Sequence, residues 1–148
     1  MKEKNSGWCW HVHHEELFEW CTDWRGREHY IGIVKPLDEV PTRLRLMHWI
    51  KGELPKAVLA DGQTCTVAWK AYFEAGAACK AAEAEGGMTF TTKLQAWTKA
   101  RLAYEDAADA YGKTIESHHD EIEALHKLEC PNCPWDGTTI FPEAKEEP

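Results

Sequence analysis

Apolar and polar positions alternate near the N-terminus with the period of a β-strand. One face of this segment would carry Trp8, Trp10 and Val12, and the other Cys9, His11 and His13. Residues two apart in a strand project from the same face of the sheet. The alternation therefore predicts a first strand with two unlike faces, at the start of an N-terminal α+β module that covers residues 8–55.

The spacing of apolar residues changes directly after this strand. The side chains at Leu17, Trp20, Cys21 and Trp24 are three and four residues apart, which is typical of an amphipathic helix. Apolar residues at Tyr30, Ile31 and Val34 can extend this helix as far as Pro36. The segment RLRLMHWI at 43–50 alternates again and favours a second strand, although Pro41 can equally open a short helix there. The module is thus predicted to contain strand, helix and strand in that order.

Residues 64–129 have the pattern of two long antiparallel helices. The first is rich in alanines at three- and four-residue spacing, which allows a partner helix to approach closely, and Gly86-Gly87 ends it. The apolar seam of the second begins at Leu94 and continues almost to Cys130. Because this helix is the longer one, we expect the N-terminal module to pack against its overhanging part, from Tyr111 to Leu125.

The C-terminal segment adds a knuckle, a turn and a short strand. The knuckle and strand are predicted over 130–142, with a turn at Asp136-Gly137 followed by the strand-forming TTIF. Residues 143–148 are expected to form a flexible acidic tail. The predicted fold class is therefore α-rich α+β, with residues 1–148 as a single domain in which a helical hairpin packs on a small Trp-rich sheet and helix module.

Composition narrows the function classes. With eight tryptophans and 43% hydrophobic residues, the chain is a folded protein. A net charge of -8 argues against general nucleic-acid binding and suits a protein partner with a basic surface. The start MKEKNSGW lacks an apolar signal region, and no segment reaches the roughly 20 apolar residues of a membrane span. We therefore predict a cytoplasmic protein that does not interact with membranes.

The strongest chemical motif is Cys130-Pro-Asn-Cys133, which is half of a tetrahedral zinc site. Two thiolates separated by two residues can bind one ion, and a complete structural site needs two further ligands. We predict that His11 and His13 supply them, because they share one face of the first strand. The alternates are His126, one helical turn before Cys130, and Cys9.

Two other interpretations of the cysteine pair stay open. The two thiols can be structurally inert, or they can form a redox-active dithiol. The redox interpretation is the weaker one because Cys130 follows a helix, whose C-terminal dipole raises a thiol pKa, whereas active dithiols lie at helix N-termini.

The same histidines allow a different class of function. A cluster of His11, His13 and His14 around a metal ion with an open position, with Glu15 or Glu16 as general base, would suit a metal-dependent hydrolase. No HExxH, GxSxG or P-loop signature supports such an enzyme. A third possibility is a metal-free helical scaffold whose hairpin seam continues into a homodimer.

Three segments carry a resemblance: WHVHHEEL near the start, RLRLMHWIKGELP in the middle and ALHKLECPNCPWDGTTIF near the end. Together they resemble a group of small uncharacterised proteins from bacteriophage and gut-metagenome sequences. The resemblance implies a phage-related setting and no catalytic activity. Combined with the cysteine half-site and the acidic surface, it favours a zinc-stabilised small interaction protein, such as a phage factor that binds a host protein in the host cytoplasm.

Overall fold

The structure is a computed structural model, and it describes residues 4–142. Over these residues the predicted α-rich α+β class is confirmed by five helices and one three-stranded sheet. The chain divides into two compact units, which we call the terminal module (Met1–Glu53 with Ala124–Pro148) and the hairpin unit (Leu54–Glu123). The single-domain organisation stays a prediction, and the predicted flexible tail at 143–148 lies outside the described residues.

The sheet of the terminal module contains β1 (Gly7–Trp10), β2 (Phe18–Cys21) and β3 (His48–Trp49), in the order β2-β1-β3 with antiparallel pairs. The helix predicted from Leu17 is therefore wrong up to Cys21, because Phe18–Cys21 pairs with β1, Trp20 opposite Trp8 and Phe18 opposite Trp10. The three- and four-residue spacing of this segment indicated a helix, but cross-strand contacts between large aromatic rings decide the conformation. The predicted extension of the helix to Val34 is confirmed, since a helix begins at Trp24.

Two short helices complete the first half of the module. Helix α1 (Trp24–Val34) begins after Asp23, whose carboxylate accepts a hydrogen bond from the Gly26 N–H. Helix α2 (Val40–Leu46) replaces the first half of the strand predicted over 43–50, and Pro41 lies in its first turn. The alternative of a short helix is thus correct for that half, while β3 forms within the second half of the predicted strand. The helices pack on a core that contains Cys9, Val12, Cys21, Ile31 and Met47.

The hairpin unit confirms the predicted helix pair. Helices α3 (Lys56–Ala82) and α4 (Gly87–Ser117) pack along each other, and α3 starts eight residues earlier than the alanine-rich segment predicted. Gly86 and Gly87 form the turn at φ of 63° and 59°, a conformation in which glycine has no steric cost. Between the helices, the Tyr72 ring stacks on Trp97 and Tyr104.

The second helix ends sooner than its apolar seam predicted. α4 stops at Ser117, His118 leaves the helical conformation, and α5 (His119–Glu129) begins directly afterwards. The predicted packing of the N-terminal module on this helix holds in part, since residues from Ala124 onward belong to the terminal module. There Leu125 packs against Gly52, which has no side chain to obstruct it.

The strand predicted in TTIF is wrong. The segment is irregular in the structure, and one of its contacts with the N-terminal half is the hydrogen bond from the Ile140 N–H to the His14 carbonyl, at 3.0 Å. The Asp136 carboxylate accepts from the N–H groups of Thr138 and Thr139 and so favours a side-chain turn over an extended ladder. Among the described helices, none combines the length and apolar character that crossing a membrane requires.

Candidate metal centre

Three buried side chains of the terminal module bring potential metal ligands together. The ligand atoms of His11, His126 and Cys130 all lie within 4.8 Å of one another. The two imidazole Nε2 atoms are 3.0 Å apart, and the three residues are only 2%, 4% and 6% exposed. This convergence of two nitrogen donors and one sulfur donor is a possible metal site.

Cys133 adds a second sulfur to this group. Its Sγ lies 3.3 Å from Nε2 of His11, and it also forms a hydrogen bond with His126. Around a tetrahedral zinc ion with bonds of about 2.0–2.1 Å to nitrogen and about 2.3 Å to sulfur, the ligand atoms are roughly 3.3–3.8 Å apart. The two distances from His11 Nε2 are slightly shorter than these edges, so a small expansion would admit an ion.

The backbone after β1 places the first ligand. The strand ends at Trp10, and His11 takes a φ of 52°, in the left-handed region that a histidine seldom adopts. Its N–H donates to the Leu17 carbonyl at 3.0 Å, which holds the turn in place. A conformation of this kind costs of order 1–3 kcal/mol and tends to occur at functional sites. The turn directs the His11 ring toward α5.

The other three ligands come from the end of α5 and the turn that follows. His126 and Cys130 are four residues apart and share one face of the helix, where the Cys130 N–H donates to the His126 carbonyl at 2.7 Å. Asn132 then adopts a φ of 61°, which asparagine tolerates, and reverses the chain. The backbone N–H of Trp135 donates to Sγ of Cys133. The knuckle predicted from the CxxC spacing therefore forms locally.

A hydrogen bond joins the two thiols. The hydrogen bond from Cys130 to Cys133 lowers the pKa of Cys133 and raises the pKa of Cys130. Burial opposes ionisation of both thiols, whereas further hydrogen bonds from His11, His126 and Trp135 favour the thiolate of Cys133. Because a metal ion binds thiolates, its binding would release the thiol protons.

The carboxylate of Glu129 fixes the end of α5 beside this site. It accepts hydrogen bonds from the Trp10 indole N–H at 2.9 Å and from the backbone N–H groups of Lys51 and Gly52 at 3.0 Å and 2.5 Å. Burial raises the pKa of Glu129, but these hydrogen bonds lower it more, and the net pKa lies below its ordinary value. Glu129 thus joins the first strand, the segment after β3 and the last helix.

The other predicted site residues lie elsewhere. His13 is exposed and pairs with the Glu19 carboxylate, and Nδ1 of His14 lies 3.3 Å from the Thr139 hydroxyl. Cys9 is buried in the core beside Cys21, where burial raises its pKa to about 12. The predicted ligands that meet are therefore His11, Cys130, Cys133 and the alternate His126. His11 and His13 take different positions because the strand ends before either residue.

Sequence reasoning missed a third histidine at the site. Nε2 of His48 lies 2.9 Å from Sγ of Cys130, and the strand pairing of β3 with β1 sets His48 opposite Trp10. The residue was visible in the alternating segment RLRLMHWI. Its proximity to the cysteines follows from the pairing of strands nearly forty residues apart in sequence, which no local pattern reveals.

Comparisons with known proteins identify no relative of this chain. No protein-family model, curated protein or solved structure matches the chain. The interpretation of the site therefore depends on its own geometry and chemistry.

Proposed function

We propose that His11, His126, Cys130 and Cys133 bind one Zn²⁺ ion that stabilises the terminal module of a small interaction protein. The observation that carries this proposal is the convergence of the buried donors of His11, His126 and Cys130, which lie within 4.8 Å of one another, with Sγ of the half-buried Cys133 at 3.3 Å from Nε2 of His11. Buried polar side chains need partners, and a bound cation would partner these donors together, in place of the hydrogen bonds among them.

The chemistry of the donors favours zinc. Two thiolates and two imidazoles form the Cys₂His₂ set of structural zinc sites, and two of the ligands have the two-residue separation of a zinc knuckle. Thiolate ligands disfavour Mg²⁺ and Ca²⁺, which prefer oxygen. With two thiolates the bound site is electrically neutral, which suits its burial.

Burial and ligand count favour a structural ion over a catalytic one. Four protein ligands fill a tetrahedral shell, whereas a catalytic zinc keeps one position for water or substrate. The three donors of the central group are at most 6% exposed. The hydrolase alternative drew on His13 and His14, but their side chains contact Glu19 and Thr139. The geometry therefore supports stabilisation of the fold rather than hydrolysis.

An interaction role is supported by the surface of the module. Three apolar side chains at and after the end of α1 are largely in solvent: Ile33 at 68%, Val34 at 53% and Leu37 at 85% exposure. Adjacent exposed apolar side chains are typical of protein-binding surfaces. The net charge of -8 favours a partner with a basic surface. The resemblance to phage proteins favours a host protein as that partner, in the host cytoplasm.

The direct test is the metal content of protein purified without chelators. We expect about one zinc per chain, and loss of this zinc in a Cys130→Ser, Cys133→Ser double variant. Cys65→Ser is the matched control, because Cys65 lies in α3 of the hairpin unit and should leave the zinc content unchanged. Wild-type protein without bound metal, or a double variant that retains it, would contradict the proposal.

A further inference from the structure

His48 contacts the candidate zinc site through a single ligand. Its Nε2 lies 2.9 Å from Sγ of Cys130. Nε2 of His11 contacts Nε2 of His126 at 3.0 Å and Sγ of Cys133 at 3.3 Å, and His48 reaches this group at Cys130. His48 is therefore placed to act on the metal through the sulfur of Cys130.

We infer that His48 is a positioning residue, which donates a hydrogen bond from Nε2 to Sγ of Cys130 and thereby raises the affinity of the site for zinc. This inference rests on the proposed function. In the zinc-bound site Cys130 is a thiolate, which has lone pairs but no proton, so a contact at 2.9 Å requires an N–H donor on the histidine. Such a bond to a charged sulfur is stronger than a neutral one.

The surroundings of His48 hold the ring in this orientation. Its backbone belongs to β3, which pairs with β1 opposite Trp10. Its other ring nitrogen, Nδ1, lies 3.3 Å from the carbonyl of Trp49. The pairing of β3 with β1 thus sets the position of the ring, and the Nε2 N–H directs it at Cys130. Residues that orient metal ligands in this way typically change metal affinity about 10- to 100-fold when they are replaced.

The sulfur of Cys130 needs such a donor more than that of Cys133. The Cys133 sulfur already accepts from the backbone N–H of Trp135 in the knuckle. Cys130, at the end of α5, receives its contact from the His48 side chain instead. Each of the two thiolates would thus have a hydrogen-bond donor outside the ligand set, one from the backbone and one from His48.

The test compares side chains that keep or lose the donor at the position of Nε2. His48→Gln places an amide N–H there, while His48→Asn carries the same amide on a shorter side chain that falls short of Cys130. His48→Leu removes the donor altogether, and His29→Leu on exposed α1 is the control. We expect zinc affinity, measured by competition with a chelator, to fall about 10- to 100-fold in the His48→Asn and His48→Leu variants. The His48→Gln variant and the His29→Leu control should bind zinc with an affinity close to that of wild type.

A second measurement separates positioning from direct ligation. Co²⁺ replaces Zn²⁺ in tetrahedral sites and reports its ligands through its visible absorption. If His48 only positions Cys130, the cobalt-saturated His48→Asn and His48→Leu variants should keep the wild-type ligand-field bands, while the thiolate charge-transfer band can shift because the sulfur loses its hydrogen bond. Changed ligand-field bands would overturn the inference by making His48 a ligand, and so would wild-type affinity in both donor-free variants or no rescue by His48→Gln.

These measurements distinguish a failure of the role of His48 from a failure of the proposed zinc site. If wild-type protein takes up neither zinc nor cobalt, the proposed function itself fails. If wild type binds zinc and the donor-free variants bind it equally well, only the role of His48 fails. Since His48→Gln and His48→Asn both introduce a polar amide side chain, comparing these two variants gives a result that does not depend on whether His48→Leu folds.

Discussion

The terminal module and the hairpin unit are built from opposite kinds of contact. In the module, His11 meets Cys133 across 122 residues of sequence, and Trp10 meets Glu129 across 119. The hairpin unit is one continuous segment whose helices are joined by a short turn at Gly86 and Gly87. The module therefore depends on side-chain chemistry between distant segments, whereas helical backbone hydrogen bonds form most of the hairpin.

The two units also differ in where their apolar side chains lie. The module has a buried cluster that includes Cys9, Ile31 and Met47, while no residue of α4 is fully buried. A site that joins both ends of the module by four ligands can supply the stability that a core of this size lacks. We therefore expect the two units to respond differently when the metal is removed.

The largest expected effect is that of metal removal on the module. Structural zinc sites contribute apparent binding free energies of about 10–16 kcal/mol, comparable with the whole stability of a small domain. Chelation should therefore abolish most of the near-ultraviolet circular dichroism, because six of the eight tryptophans lie in the module and only Trp69 and Trp97 in the hairpin unit. The far-ultraviolet helical signal, dominated by α3 and α4, should largely remain.

Two controls sharpen this prediction. Adding zinc back should restore the near-ultraviolet signal, and the Cys130→Ser, Cys133→Ser double variant should resemble the chelated protein without treatment. If the helical signal disappears together with the tryptophan signal, the proposed difference between the two units is wrong.

A smaller effect is expected from Glu129→Ala. This change leaves the Trp10 indole and the N–H groups of Lys51 and Gly52 without their acceptor, and we expect the module to lose about 1–3 kcal/mol in urea unfolding at pH 7. Because the folded-state pKa of Glu129 is lowered, its contribution is present above the ordinary carboxyl pKa and is lost as the pH falls through the folded value. It is therefore fully present at pH 7.

The matched control is Glu28→Ala on the exposed side of α1. This change should alter the free energy of unfolding by no more than about 0.5 kcal/mol. Equal losses in the two variants would mean that the Glu129 carboxylate does not hold the ends of the module together.

The smallest expected effects come from a matched pair of helical glycines, Gly32 in α1 and Gly112 in α4. A Cβ at either position would meet no atom within 4 Å, so replacement by alanine adds no clash. Each change should stabilise its own unit by about 1 kcal/mol. Gly32→Ala should delay the loss of the tryptophan signal in urea and Gly112→Ala the loss of the helical signal. A shift of both signals by either variant would show that the units unfold together.

The hairpin was predictable because its information is local. Small residues at three- and four-residue spacing and the Gly86-Gly87 pair determine both helices and the turn between them. The exception is the break at His118, since the apolar seam continues across it from α4 into α5. An apolar seam indicates which side chains face inward, but it does not indicate whether the backbone between them stays helical.

The module was predicted less well because long-range pairing determines it. The segment from Leu17 to Trp24 has helical spacing, yet β2 forms there by pairing with β1. The CxxC spacing identified the two sulfur ligands, and the one-turn spacing to Cys130 identified His126 as an alternate. The proximity of His48 to the site depends on the pairing of β3 with β1. The different directions of His11 and His13 depend on the end of β1 at Trp10, whereas the alternation in the sequence continues past that residue.

The position of the ligands along the chain also sets an order of events during synthesis. A ribosome produces His11 long before it produces Cys133, and both helices of the hairpin are made in the interval. His11 of the nascent chain therefore stays without these partners until the last turn of α5 and the knuckle have left the exit tunnel.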